Sequence, residues 1–236
     1  MVDMRLLVSP MSLEEAWAAL QGGADILDVK NPREGSLGAN FPWAIREVAA
    51  MAAGRVPVSA TIGDLPFKPG TASLAALGAA ISGADYVKAG LLGVRTADEA
   101  EEMMAAIVRA VREVDGRKKV VACAYSDFQR AGSLDPMQLA GPAKRAGSDL
   151  IMVDTAVKDG RSTFEFMTED DLSGFVKAGH KGGMEVALAG TIGFEHIGML
   201  KDIAPDIIGV RGVVCGGDRQ TCIKAELVRE LKDRLI

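Results

Sequence analysis

Short apolar runs alternate with longer amphipathic stretches from one end of the chain to the other. The runs fall at residues 6–9, 26–30, 57–62, 86–89, 119–125, 150–154, 185–189 and 207–211. Apolar runs this short, bounded by Gly, Asp or Pro, read as buried strands. Between them, 13–20, 97–114 and 168–178 carry apolar residues at helical spacing. Ser12 before Leu-Glu-Glu and Thr96 before Ala-Asp-Glu supply N-cap hydroxyls with acids in the first turn. Eight strand–helix units in succession predict a parallel α/β architecture.

A second, longer period lies over the first. Ala24-Asp25, Ala84-Asp85, Ser148-Asp149 and Pro205-Asp206 each immediately precede a strand. They recur about every 60 residues, at the second, fourth, sixth and eighth strands, as a βαβα unit repeated around a closed sheet would place them. The expected fold is therefore one (β/α)8 TIM-barrel domain over residues 1–236, not a doubly wound open sheet. Aspartates that open strands lie at the lower rim of such a barrel, where residues serve stability.

Charges interrupt the pattern at the other ends of the strands. Asp28 and Lys30 sit two apart in Ile26-Leu27-Asp28-Val29-Lys30 and so share a face, while Lys88 and Asp154 lie near the ends of later strands. A charge buried without a partner costs several kcal/mol, so an ordinary strand would place Val or Ile there. Lys158 lies in the loop just beyond Asp154. In a barrel this end carries catalytic groups. A lysine with a pKa of about 10.4 is almost wholly protonated at pH 7, but burial and neighbouring positive charge both lower that value. Lys30 and Lys88 can supply each other's positive charge, while Asp28 and Asp154 hold one amine protonated and orient it. Lysines with unequal pKa values suit imine formation with proton transfer on a carbonyl substrate.

Two glycine-rich turns follow the last two strands. Gly190, Thr191 and Gly193 belong to the first; Gly212, Gly216 and Gly217 belong to the second. Barrels often bind phosphate at these loops through backbone N–H groups, and glycine permits the close approach. The longest distinctive loop, 31–40, directly follows Lys30. It reads either as a segment that closes over substrate, with Arg33, Ser36 and Asn40 meeting a second anion, or as ordinary surface. Asp127, Gln129 and Arg130 also face the expected mouth, with no assigned role.

Composition narrows the classes. A formal charge of −5 and a pI near 5.2 speak against a general nucleic-acid binder. No apolar stretch approaches the ~18 residues of a membrane span, and residues 1–10 read as the first strand without a signal peptide. Cys123, Cys215 and Cys222 lack CxxC spacing, with only His180 and His196 beside them. No metal site or cofactor is expected, and a reduced, cytoplasmic setting is the default. Cys123, in mid-strand, reads as a small buried hydrophobe. The Met103-Met104-Ala105-Ala106 face fits packing between subunits or against the barrel, leaving a homo-oligomer open.

Longer motifs add a resemblance. Asp28-Val29-Lys30-Asn31-Pro32 with Glu34-Gly35-Ser36-Leu37-Gly38-Ala39-Asn40, then Val87-Lys88-Ala89-Gly90, Val153-Asp154-Thr155-Ala156-Val157-Lys158-Asp159-Gly160 and Gly190-Thr191-Ile192, span essentially the whole chain. This set resembles the (5-formylfuran-3-yl)methyl phosphate synthase family of methanofuran biosynthesis. The resemblance implies a TIM barrel that condenses two molecules of a triose phosphate, glyceraldehyde 3-phosphate. The implied product is 4-(hydroxymethyl)-2-furancarboxaldehyde phosphate, with release of phosphate and water. It further implies that Lys30 is the Schiff-base lysine and Lys88 the proton acceptor, supported by Asp28, Asp154 and Lys158. The same lysines and loops also fit another Schiff-base aldolase, a sugar-phosphate isomerase or a non-catalytic phosphometabolite binder.

Overall fold

In a computed structural model that describes residues 4–235, each apolar run is a parallel strand. These are β1 (Arg5–Val8), β2 (Ile26–Val29), β3 (Val58–Asp64), β4 (Tyr86–Gly90), β5 (Lys119–Tyr125), β6 (Leu150–Asp154), β7 (Glu185–Leu188) and β8 (Ile207–Val210). They pair in chain order, and β1 pairs with β8 to close the barrel. Lys30 and Arg211 fall just past their strands, whereas β3 runs on to Asp64 through a register shift between Thr61 and Asp64. The expected first strand lies partly outside the described residues, at 1–3.

The helices form where the apolar spacing and caps indicate. Helix Leu13–Gln21 begins at Ser12, whose hydroxyl accepts the Glu15 N–H, and helix Ala97–Val114 begins with a capping box between Thr96 and Glu99. The latter buries Ala100, Met103, Met104, Ile107 and Val111, one stripe at helical spacing. Met103 and Met104 are fully enclosed, so this face packs against the barrel.

The four strand-opening aspartates make one structural motif four times. Each carboxylate accepts an N–H from the preceding strand: Asp25 from Leu6 at 2.6 Å, Asp85 from Val58 at 2.8 Å, Asp149 from Val120 at 2.7 Å and Asp206 from Val186 at 2.7 Å. Each aspartate also donates its own N–H to the carbonyl of that same residue. The side chain thus satisfies a ladder donor where strand pairing begins. Lys232, Arg112 and His180 contact the carboxylates of Asp25, Asp149 and Asp206 from outside.

The barrel interior is stacked in layers. At the floor, Glu185 binds Arg5 at 2.6 Å and Lys119 at 2.8 Å. An apolar layer above includes Leu7, Ile26, Val121, Leu150 and Ile207. The polar groups of the mouth rest on this seal. Toward the top of β7 and β8 the inward residues shrink to Ala189 and Gly209. A Cβ on Gly209 would already meet Ala189 Cβ at 3.1 Å and Met152 Cε at 3.2 Å. These small residues leave space above them.

Candidate active site

The inward positions of β2 and β4 bring together two residues 60 apart in the chain. Lys88 Nζ donates to Asp28 Oδ2 at 2.7 Å, with both side chains essentially sealed from solvent. Such a pair repays its desolvation only when the remaining lone pairs are also satisfied. Each oxygen of Asp28 takes a serine hydroxyl as well: Ser9 Oγ donates to Oδ2 at 3.0 Å and Ser59 Oγ to Oδ1 at 2.7 Å. Against the cost of burial, the ammonium groups of Lys88 and Lys30 and the hydrogen bonds from Lys88 and Ser59 hold the Asp28 pKa below its ordinary value. Burial lowers the Lys88 pKa, but Asp28 outweighs it and the net direction is upward. Lys88 therefore rests as an ammonium.

A matching pair stands across the mouth. Asp154, at the end of β6, accepts a close hydrogen bond from Lys158 Nζ, which also donates to Thr155 Oγ1 at 2.9 Å. Burial opposes ionisation of Asp154, yet Lys158 and then Lys30 bring its pKa below the ordinary carboxylate value. The loop carrying Lys158 is shaped by buried Asp127, which accepts the N–H groups of Ala156 at 2.6 Å and Val157 at 3.0 Å.

Lys30 differs from both. It is buried, its Nζ reaches only the Ser36 carbonyl at 3.4 Å, and no carboxylate lies within 4.0 Å of it among the described residues. Burial is the main cause that lowers its pKa to about 8, helped by the charges of Lys88 and Lys158 and opposed by Asp154 and Asp28. At pH 7 about one Lys30 in ten then carries a free lone pair, against about one in three thousand at its ordinary value. The two neighbouring carboxylates each hold another lysine. Lys30 is left without a carboxylate of its own among the described residues.

The loop after Lys30 is packed and not an open flap. Leu37 is fully buried among the barrel's inner side chains, its N–H donating to Asp64 Oδ2 at 3.0 Å and its carbonyl accepting from Thr61 Oγ1 at 2.6 Å. Asp64 in turn takes a close hydrogen bond from the Tyr125 hydroxyl. Ser36 Oγ is committed to the Thr155 carbonyl at 2.7 Å, Asn40 Nδ2 to the Met11 and Lys30 carbonyls, and Arg33 is exposed. These three residues are thus framework or surface. Gly90 is required here, because a Cβ would collide with the Tyr125 hydroxyl.

With that side filled, a cavity of about 220 Å³ opens toward β6, β7, β8 and β1. Lys30, Lys88, Asp154 and Lys158 line it, as do Gly190, Thr191, Gly212 and Gly217. Asp28 stands behind Lys88. Gly190 and Thr191 adopt positive φ, 98° and 53°, and the N–H groups of Gly190, Thr191 and Gly212 have no acceptor among the described residues. Gly193 and Gly216 do not line the cavity. The Gly193 N–H is occupied by His196 Nδ1 at 2.9 Å, and the Gly217 N–H by the Gly212 carbonyl at 2.9 Å. Cys123 is a buried strand residue whose thiol is pushed up by burial.

Comparison with known proteins fits this geometry. Residues 6–232 match the family model described as 4-HFC-P synthase. The chain belongs to the 4-HFC-P synthase family. It is 59% identical over 228 residues to the (5-formylfuran-3-yl)methyl phosphate synthase of Methanosarcina mazei, covering 97% of each chain. The synthase of the same name from Archaeoglobus fulgidus is 57% identical over 232 residues, covering 98% of each. Among solved structures, 3-hexulose-6-phosphate synthase from Salmonella typhimurium shares the barrel with a TM-score of 0.68 and 20% identity, covering 98% of both chains. As a 4-HFC-P synthase family member the chain is an enzyme, and no helix among the described residues is long and apolar enough to cross a membrane.

Sequence reasoning missed several residues of this family member's site. Ser9 and Ser59 orient Asp28, and Leu37 packs among the inner side chains, while Asp127, read only as facing the mouth without a role, shapes the Lys158 loop. Arg211 reaches back to Glu15 at 2.7 Å, a residue 196 positions earlier. Only the run of charge at strand ends could have flagged Arg211; nothing marks the serines.

Proposed function

We propose that the chain is a (5-formylfuran-3-yl)methyl phosphate synthase that condenses two molecules of glyceraldehyde 3-phosphate through an imine on Lys30, within methanofuran biosynthesis. The observation that carries the reading is the inequality of the three lysines. Two are paired with carboxylates, while buried Lys30 has no such partner among the described residues and a pKa of about 8.

One triose phosphate isomerises to its ketone form and condenses with Lys30, losing water. Deprotonation of the imine gives an enamine, whose carbon attacks the aldehyde of the second triose phosphate. Lys88 rests protonated, so it first gives its proton to the carbinolamine hydroxyl that leaves as water. As the free amine it then takes the α-proton when the imine becomes the enamine, with Asp28 keeping it aimed. Asp154 and Lys158 assist dehydration on the opposite side. Ring closure, hydrolysis of the imine, loss of one phosphate and net loss of two waters leave a furan that carries the other phosphate. The free N–H groups of Gly190, Thr191 and Gly212 cradle a phosphate.

Incubation with glyceraldehyde 3-phosphate alone should release inorganic phosphate and yield an ultraviolet-absorbing furan in equal amounts. Phosphate release without a furan, or no turnover, would refute the assignment. The rate of adduct formation at Lys30 should rise with pH and level off above about 8, because the free amine is the reactive form. The sign for folding is also defined. Native Lys30 releases its proton near 8 and the unfolded chain near 10.5, so its contribution to stability grows with pH through that window. Stopped-flow imine formation across pH 6–10, a range on the order of two units around that pKa, checks the first; a flat profile contradicts it.

A further inference from the structure

Two arginines stand beside the cavity after β8, and their surroundings differ. Arg211 looks like the natural anion binder at the strand end, but its hydrogen-bonding capacity is committed. Nη1 binds the Ser9 carbonyl at 2.8 Å and Glu15 Oε2 at 2.7 Å, Nη2 binds Glu15 Oε1 at 3.1 Å, and Nε binds the carbonyl of Arg219 at 2.7 Å. Arg211 is thus a strut that fixes the backbone of Arg219.

Arg219 itself lines the cavity with Lys30 and Lys158. Its Nη2 is shielded from solvent and has no hydrogen-bond partner, and no carboxylate lies within 4.0 Å of it among the described residues. Nearby Asp218 is exposed, and its Oδ1 accepts the Gln220 N–H at 2.9 Å. A buried guanidinium nitrogen without an acceptor costs free energy that a ligand anion recovers. The cations around it are otherwise spoken for: Lys88 by Asp28, Lys158 by Asp154, Arg211 by Glu15. Lys30 is unpaired but titrates near 8 and is consumed by the imine. Among the described residues, Arg219 is the cavity's one always-charged side chain without a carboxylate partner. Its Cβ lies 4.0 Å from where a Gly212 Cβ would stand, beside the unoccupied Gly212 N–H.

We propose that the Arg219 guanidinium, aimed by Arg211 and joined by the Gly212 N–H, binds a phosphate monoester of the substrate and selects phosphorylated over unphosphorylated aldehydes. The inference rests on the triose phosphate reading for its ligand. A guanidinium fork presents paired donors that fit two phosphate oxygens, which an ammonium cannot do.

The test compares the full chain with Arg219→Gln and Arg219→Lys, each checked for an unchanged thermal transition. Calorimetric titration with inorganic phosphate should show about ten- to a hundredfold weaker binding for R219Q, with R219K intermediate. Free guanidinium should restore part of the loss in R219Q. Borohydride trapping at Lys30 should be faster with glyceraldehyde 3-phosphate than with glyceraldehyde, and this ratio should fall by a similar factor in R219Q. Equal phosphate affinity in wild type and R219Q, absent binding to the wild type, or an unchanged trapping ratio would overturn the proposal. Arg219-dependent phosphate binding in a protein that makes no furan would keep the anion site and remove the reaction. Furan formation with phosphate affinity insensitive to Arg219 would do the reverse.

Discussion

Lys30→Arg is expected to lower furan formation by roughly a thousandfold or more, because it removes the amine proposed to form the imine. The same substitution should cost little stability. Lys30 is already mostly protonated at neutral pH, so the site tolerates a cation at that position, and the hydrogen bond its Nζ makes to the Ser36 carbonyl is long at 3.4 Å. An arginine keeps the charge but cannot lose its proton under working conditions. Neither Lys88 nor Lys158 should substitute, since the Nζ of each is engaged by a carboxylate. Borohydride treatment with substrate, followed by mass spectrometry, should label Lys30 in the wild type and no lysine in the variant. Substantial turnover by a folded Lys30→Arg protein, or trapping at another lysine, would remove the imine from its assigned place.

What the chain announces about itself depends on how a residue's role relates to its neighbours in sequence. Fully buried parallel strands must be apolar on both faces, so β1 to β8 are readable as runs, and a lysine or aspartate inside such a run is conspicuous. Lys30, Lys88 and Asp154 stand out for that reason. The aspartate repeat is legible because one hydrogen-bonding task recurs at every second strand. Roles assigned by distant partners are silent. Ser9 and Ser59 are unremarkable until the barrel closes around Asp28, and Leu37 looks like a loop residue until it is found inside the barrel. Glycine-rich turns announce close backbone approach without saying which N–H groups stay free. Gly190 and Gly212 keep theirs, while Gly193 gives its own to His196.

Asp28→Asn should have the largest effect on stability of any single change at the mouth. It leaves the Lys88 ammonium in a sealed site facing a neutral amide, and breaking a buried pair in this way costs about 3–5 kcal/mol. That is a large part of the 5–15 kcal/mol or so by which ordinary domains are stable. The pH dependence has a definite sign. Wild-type Asp28, lowered below its ordinary 3.8, contributes stability that is present above that value and lost on further acidification. Raised Lys88 contributes stability that is full below its ordinary 10.5 and lost as pH climbs past it. Asp28→Asn should flatten both limbs. Joining it to Lys88→Met removes the stranded charge and should recover most of the lost stability while leaving the enzyme without turnover. Denaturant midpoints for the wild type, both single variants and the double variant give the coupling directly. A double variant no more stable than Asp28→Asn alone would mean that the stranded ammonium is not what destabilises the single variant. If the double variant were instead stable and active, Lys88 would be a structural cation and not the proton carrier of this site.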